Sequence, residues 1–61
     1  MSVQEQIKTK LLQEIYTEID KMYDFMAQHY ALSSEHEALV IKKLNQLKEQ
    51  FYLISQESKL S

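Results

Sequence analysis

A polar residue, Asn45, stands among lysines and aliphatic residues in the segment VIKKLNQLKEQF, residues 40–51. Its amide can orient a water molecule by hydrogen bonding, but it cannot accept a proton as a carboxylate can. Lys42 and Lys48 place positive charge on either side of it along the chain. Most polar residues at the rim of a packed helix are simply solvated. The segment by itself therefore leaves open whether Asn45 does chemistry.

Two apolar residues share the helical stripe of Asn45, with Ile41 one turn before it and Tyr52 two turns after it. Asn45 follows Leu44, which takes position a of an a/d seam, so the amide is expected to point outward or to the rim of the seam. Neighbouring exposed apolar residues can form a docking surface. We therefore predict a partner-binding strip that consists of Ile41, Lys42, Asn45, Lys48 and Tyr52. The alternative is that Ile41 packs in the seam of a homodimer.

Other residues that could do chemistry are less organised. His29 and His36 flank the predicted turn, but structural zinc requires four ligands, so no metal site is predicted. The acids Glu14, Glu18 and Asp24 are expected to be surface charges, because no cleft is predicted around them. The sequence contains no glycine, which excludes a glycine-rich phosphate loop. The chain is expected to have no cofactor of its own.

Composition favours a small helical protein. A chain of 61 residues can form one domain near the lower size limit for independent folding. Cysteine is absent, so no disulfide can reinforce the fold. Glycine and proline are also absent, although average proteins contain about 7% and 5% of them. Tight turns and sheets depend on these residues whereas long helices exclude them, so the chain is predicted to be almost entirely helical.

Charge and hydropathy limit the possible partners. The net charge is −2, and all seven basic residues are lysines. Phosphate recognition favours clustered basic residues that include arginine, so nucleic-acid binding is not expected. No apolar run approaches the roughly 20 residues that a membrane span requires, and no basic and apolar leader opens the sequence. The protein is expected to be cytoplasmic and to bind no membrane.

Hydrophobic periodicity predicts an all-α antiparallel hairpin, alone or doubled into a four-helix bundle. The first helix is predicted over about residues 7–29, the turn over about 30–33, and the second helix over about 34–55. Residues 56–61 are predicted to fray. Ser34 and Glu37 match a capping box at the start of the second helix. The apolar positions that define the two faces are Ile7, Leu11, Leu12, Ile15, Ile19, Met22 and Met26, then Val40, Leu44, Leu47, Phe51 and Ile54.

The pattern over residues 11–51 is marked by Leu11, Leu12, Ile15, Met22, Asp24, Leu32, Ser33, Leu44, Leu47 and Phe51. In this pattern the chain resembles the sporulation stage 0 protein E-like family, small two-helix aspartyl-phosphate phosphatases of spore-forming bacteria. The polar signature differs. Ile41 stands where the family has a serine, Asn45 stands where it has an essential aspartate, and Ile19 stands where an arginine is often found.

The resemblance implies a negative regulator of sporulation that binds the receiver domain of a phosphorylated response regulator. Family members accelerate loss of phosphate from the receiver's aspartate, and the Mg²⁺ belongs to the receiver. Lys42 or Lys48 would pair with receiver acids or phosphate, and Asn45 would orient a water. Whether phosphatase activity survives stays open. Alternatives are a non-catalytic interaction module, which would compete with active relatives, and a self-associating helical bundle.

Overall fold

The computed structural model describes residues 2–61 and consists of two α-helices that pack against each other. Helix α1 spans Val3–His29 and α2 spans Ser34–Glu57. The molecule measures 44 × 18 × 17 Å. It is about as long as one helix of 27 residues and about as wide as two helices side by side. The predicted all-α hairpin is confirmed. Within the described range, neither helix combines the length and the hydropathy that crossing a membrane requires.

Helix α1 begins earlier than the predicted residue 7. Ser2 has extended backbone angles and is the N-cap, and its Oγ accepts a hydrogen bond from the Glu5 N–H at 3.1 Å. This satisfies one of the amide donors that a helix leaves free at its start. Glu5 also places negative charge in the first turn, where the helix dipole favours it. Residues 3–6, which precede the predicted start, therefore belong to α1, and Met1 lies outside the described residues.

The cap of α2 is Ser33, and the predicted capping box of Ser34 and Glu37 is wrong. The Ser33 Oγ accepts a hydrogen bond from the His36 N–H at 3.1 Å, and the Ser33 carbonyl accepts from the Glu37 N–H at 2.8 Å. Ser33 has the extended angles that a cap needs (φ −68°, ψ 162°), and Ser34 is already helical. The Glu37 carboxylate turns to α1 and accepts a hydrogen bond from Tyr23.

The second helix continues beyond the predicted residue 55 and ends at Glu57. Ser58 has extended angles, and its N–H donates to the Ile54 carbonyl at 2.9 Å. Leu60 is half-buried and lines a small hollow together with Leu12 and Phe51. Residues 56–61 were predicted to fray, but residues 56 and 57 belong to α2, and Leu60 gives the tail an apolar contact with the end of the hairpin.

The core between the helices is narrow. Leu12 and Ile19 are the buried residues of the described chain, with 8% and 3% of their surface exposed. Half-buried apolar residues surround them, namely Ile15, Met26, Val40, Leu44 and Leu47. A further set of the predicted apolar positions is exposed: Ile7, Leu11, Met22, Phe51 and Ile54. Each helix packs against only one other helix, so only a narrow part of its apolar face is buried. The apolar residues at the edges of both faces therefore remain exposed to solvent.

Candidate functional site: the outer face of helix α2

Three of the residues predicted to bind a partner lie together on α2. At about 100° of rotation per residue, Ile41, Asn45 and Tyr52 fall within roughly 40° of one another around the helix axis. Ile41 is 44% exposed and Tyr52 is 47% exposed, and Asn45 between them is also exposed. The structure therefore presents the amide to solvent between two apolar side chains. We call Ile41, Asn45 and Tyr52 the α2 stripe.

Lys48 lies at the edge of the α2 stripe, where it contacts the other helix. Its Nζ is 2.8 Å from the Asp20 Oδ1 and 5.8 Å from the centre of the Tyr16 ring. The ammonium thus combines an ion pair with a cation–π contact. Of the five residues predicted to meet a partner, Ile41, Lys42, Asn45 and Tyr52 face solvent, and Lys48 contacts α1.

A shallow hollow of about 460 Å³ lies beside the stripe. Tyr16 of α1 and Lys48, Glu49, Tyr52 and Leu53 of α2 line it. The hollow has two aromatic rings in its lining and an ion-paired lysine at one side. An apolar side chain of a partner would bury itself there, as anchor residues do at the centre of protein interfaces.

The middle of α2 is positively charged. Residues 38–48 contain three lysines and no carboxylate, and Lys42 and Lys43 are exposed. Asp20 offsets the charge of Lys48. This segment is therefore a positive patch on a chain whose net charge is −2. Such a patch attracts acidic surfaces and steers their approach.

The chemistry available on this face is limited by Asn45. Its amide can donate and accept hydrogen bonds but cannot act as a general base. Glu49 is one turn further along α2 and is exposed, so it is the carboxylate that reaches the same region of the surface. Glu49 was not among the predicted site residues, although its position four residues after Asn45 indicates that the two side chains are neighbours on a helix.

The histidines and acids named in the sequence lie apart from this face. The His29 ring packs against the Phe25 ring, with ring centres 4.4 Å apart and the ring planes tilted by 43°, and His36 helps to form the cap of α2. Glu18 pairs with Lys21 at 3.2 Å. Across residues 2–61, no group of three or more histidine and carboxylate side chains is arranged to hold a metal ion.

Comparison with known proteins adds no assignment to this geometry. Searches against protein-family models, curated proteins and solved structures found no match to the chain.

Proposed function

We propose that this hairpin is a sporulation regulator that binds the receiver domain of a response regulator through the outer face of α2. Two kinds of observation support the proposal. The apolar skeleton over residues 11–51 resembles that of small two-helix phosphatases that act on such receivers. The α2 stripe and Lys42 are exposed in the hairpin, so they are available to a protein partner.

The exposure of Asn45 between Ile41 and Tyr52 carries the proposal. Asn45 occupies the position where the similar family has its essential aspartate. An amide packed in the seam between the helices would be withdrawn from any partner, whereas this one faces outward. The positive charge of Lys42 beside it suits the acidic pocket in which a receiver domain holds Mg²⁺ and its phosphorylated aspartate.

The chemistry of an amide points to binding with little catalysis. Aspartyl phosphate is labile, and a helper protein needs only to place a water in line with phosphorus and favour the charge of the transition state. Loss of a general base costs about 10²–10⁴-fold in rate. Asn45 retains the ability to orient a water. The hairpin would thus act mainly by occupying the receiver surface, in competition with active relatives or with other proteins that use it.

Titration calorimetry with purified receiver domains from the native cell, each phosphorylated with acetyl phosphate, tests this function. We expect at least one receiver to bind, and Ile41→Glu to weaken that binding strongly by placing a charge in the contact. Leu39→Glu is the matched control, because Leu39 is 56% exposed on the same helix and lies away from the α2 stripe. Failure of every receiver to bind would remove the proposed function.

A second measurement separates binding from catalysis. The rate of phosphate loss from the bound receiver is followed with the unchanged protein, with Asn45→Asp and with Asn45→Ala. We expect Asn45→Asp to increase the rate by about 10²-fold or more, because it supplies a proton acceptor. If the unchanged protein already accelerates the reaction strongly, Glu49→Gln will show whether the neighbouring carboxylate is responsible.

A further inference from the structure

The hairpin has a second exposed surface, which is apolar and lies apart from the α2 stripe. Leu11, Ile15 and Met22 fall within roughly 40° of one another around the axis of α1. Together with the buried Ile19 and with Phe51 of α2, these three residues line an open groove of about 730 Å³. Leu11 is 45% exposed, Met22 is 51% exposed and Phe51 is 37% exposed. We call this surface the apolar groove.

The apolar groove continues toward the open end of the hairpin. An adjoining hollow shares Leu11, Ile15 and Phe51 with it and extends to Ile54, which is 55% exposed. The two depressions therefore form one apolar strip that runs along both helices. An exposed strip of contiguous apolar side chains on a small protein usually marks an interaction site.

The polar contacts between the helices lie outside this strip. Tyr23 is joined to Glu37 and Asp20 is joined to Lys48, and none of these four residues lines the apolar groove. One side of the hairpin is thus closed by polar contacts that cross the seam, while the groove offers apolar side chains that none of residues 2–61 covers. A helix pair reaches a stable packing when its apolar face is covered by a second layer.

The surface area of the hairpin is larger than that expected for a folded monomer of its mass. The chain exposes 5264 Å², whereas a folded monomer of 7.3 kDa is expected to expose about 4,200 Å². The excess of about 1,100 Å² is larger than the roughly 800 Å² that each partner buries in a standard protein interface. A second hairpin laid along the groove would bury an area of this order and complete a four-helix bundle.

We propose that the apolar groove is the seam of a symmetric homodimer, in which the grooves of two copies face each other. A two-fold interface requires a self-complementary surface, and an apolar strip meets this condition without matched charges. Glu14 and Glu18 border the groove, and these acids disfavour an anionic lipid surface as the occupant. The apolar groove is a different surface from the α2 stripe, so the dimer proposal does not depend on receiver binding.

Sedimentation velocity over the micromolar range tests the dimer. We expect a species of twice the 7.3 kDa chain mass that forms as concentration rises. Leu11→Glu should weaken dimerisation by roughly 100-fold or more, because each dimer would bury two unpaired carboxylates. Ile41→Glu is the matched control, since Ile41 is 44% exposed and Leu11 is 45% exposed. Equal weakening by both variants would overturn the assignment of the groove, and so would a monomer at every concentration.

Cysteine reactivity provides a second test of the dimer that does not depend on the folding of Leu11→Glu. The sequence has no cysteine, so Met22→Cys and Ile41→Cys each introduce a single thiol. We expect the rate at which a thiol reagent modifies Met22→Cys to fall as protein concentration rises, while the rate for Ile41→Cys stays constant. A constant rate at both positions would contradict the proposal. If the protein is instead a monomer that binds phosphatidylcholine vesicles through Met22, the groove is a lipid-binding surface and the dimer proposal is wrong.

Discussion

The Tyr23 hydroxyl donates a 2.7 Å hydrogen bond to the Glu37 Oε1, which joins the last third of α1 to the first turn of α2. The bond lies near the closed end of the hairpin, and the ion pair of Asp20 and Lys48 lies further along. Together these contacts help to fix how far one helix is shifted along the other. The hydrogen bond to Glu37 raises the pKa of Tyr23, and partial burial and the nearby negative charges of Glu37 and Asp24 add to the rise.

This hydrogen bond makes stability depend on pH in the alkaline range. An unfolded tyrosine has a pKa of about 10, and the folded value is higher. The stabilisation is therefore fully present below pH about 10 and is lost as the pH rises through the folded pKa. We expect the protein to have a higher Tm than Tyr23→Phe at neutral pH, with the difference shrinking in strongly alkaline buffer. A difference that grows with alkalinity in thermal scans would contradict this assignment.

The two adjacent serines before α2 should respond differently to substitution. Ser33→Ala removes the oxygen that accepts the His36 N–H, so it should lower the free energy of unfolding by about 1 kcal/mol. Ser34→Ala places a good helix former at the first helical position and should change stability little. Urea unfolding followed by circular dichroism measures both. If Ser34→Ala proved the more damaging of the two, the cap would be Ser34.

Burial separates two leucines that have the same chemistry. Leu12 is 8% exposed in the core, whereas Leu53 is 58% exposed on α2. Leu12→Ala should lower the free energy of unfolding by about 2–5 kcal/mol, which is comparable to the roughly 3–5 kcal/mol that a core of this size supplies. We therefore expect Leu12→Ala to lose most of its helicity at room temperature, and Leu53→Ala to stay within about 0.5 kcal/mol of the unchanged protein.

The ion pair of Asp20 and Lys48 should contribute modestly and respond to salt. The Asp20 side chain is 67% exposed and that of Lys48 is 32% exposed, so water and ions screen the pair. Asp20→Asn is expected to lower the free energy of unfolding by less than about 1 kcal/mol at low salt. The same change one turn later, Asp24→Asn, is the control. The difference between the two variants should disappear in high salt, and a difference that persists would point to another role for Asp20.

Removing the ion pair between Asp20 and Lys48 also tests whether Lys48 contacts the proposed receiver. The lysine is held by Asp20 and Tyr16, so a partner that pairs with it must first displace Asp20. Asp20→Asn should therefore strengthen binding to an acidic receiver if Lys48 takes part in the contact. Unchanged affinity in calorimetry would leave Lys42 as the basic residue that meets the receiver.

The two helices and their pairing into a hairpin can be predicted from the amino-acid sequence alone. The absence of glycine and proline and the spacing of the apolar residues indicate two long helices, and the serines near residue 33 indicate where the second one starts. These signals are local, because they depend on residues within one or two turns of each other. The spacing of Ile41, Asn45 and Tyr52 likewise predicts a common stripe before any packing is known.

Which of these residues are buried, and which polar groups pair, depends on how the two helices pack against each other. Periodicity assigns Leu11 and Met22 to the same broad face as Leu12 and Ile19, but one neighbouring helix covers only a thin part of that face. The choice of Ser33 as the cap leaves the Glu37 carboxylate for Tyr23, and the shift between the helices brings Asp20 to Lys48. These outcomes join residues that are far apart in the sequence, so local propensity carries no information about them.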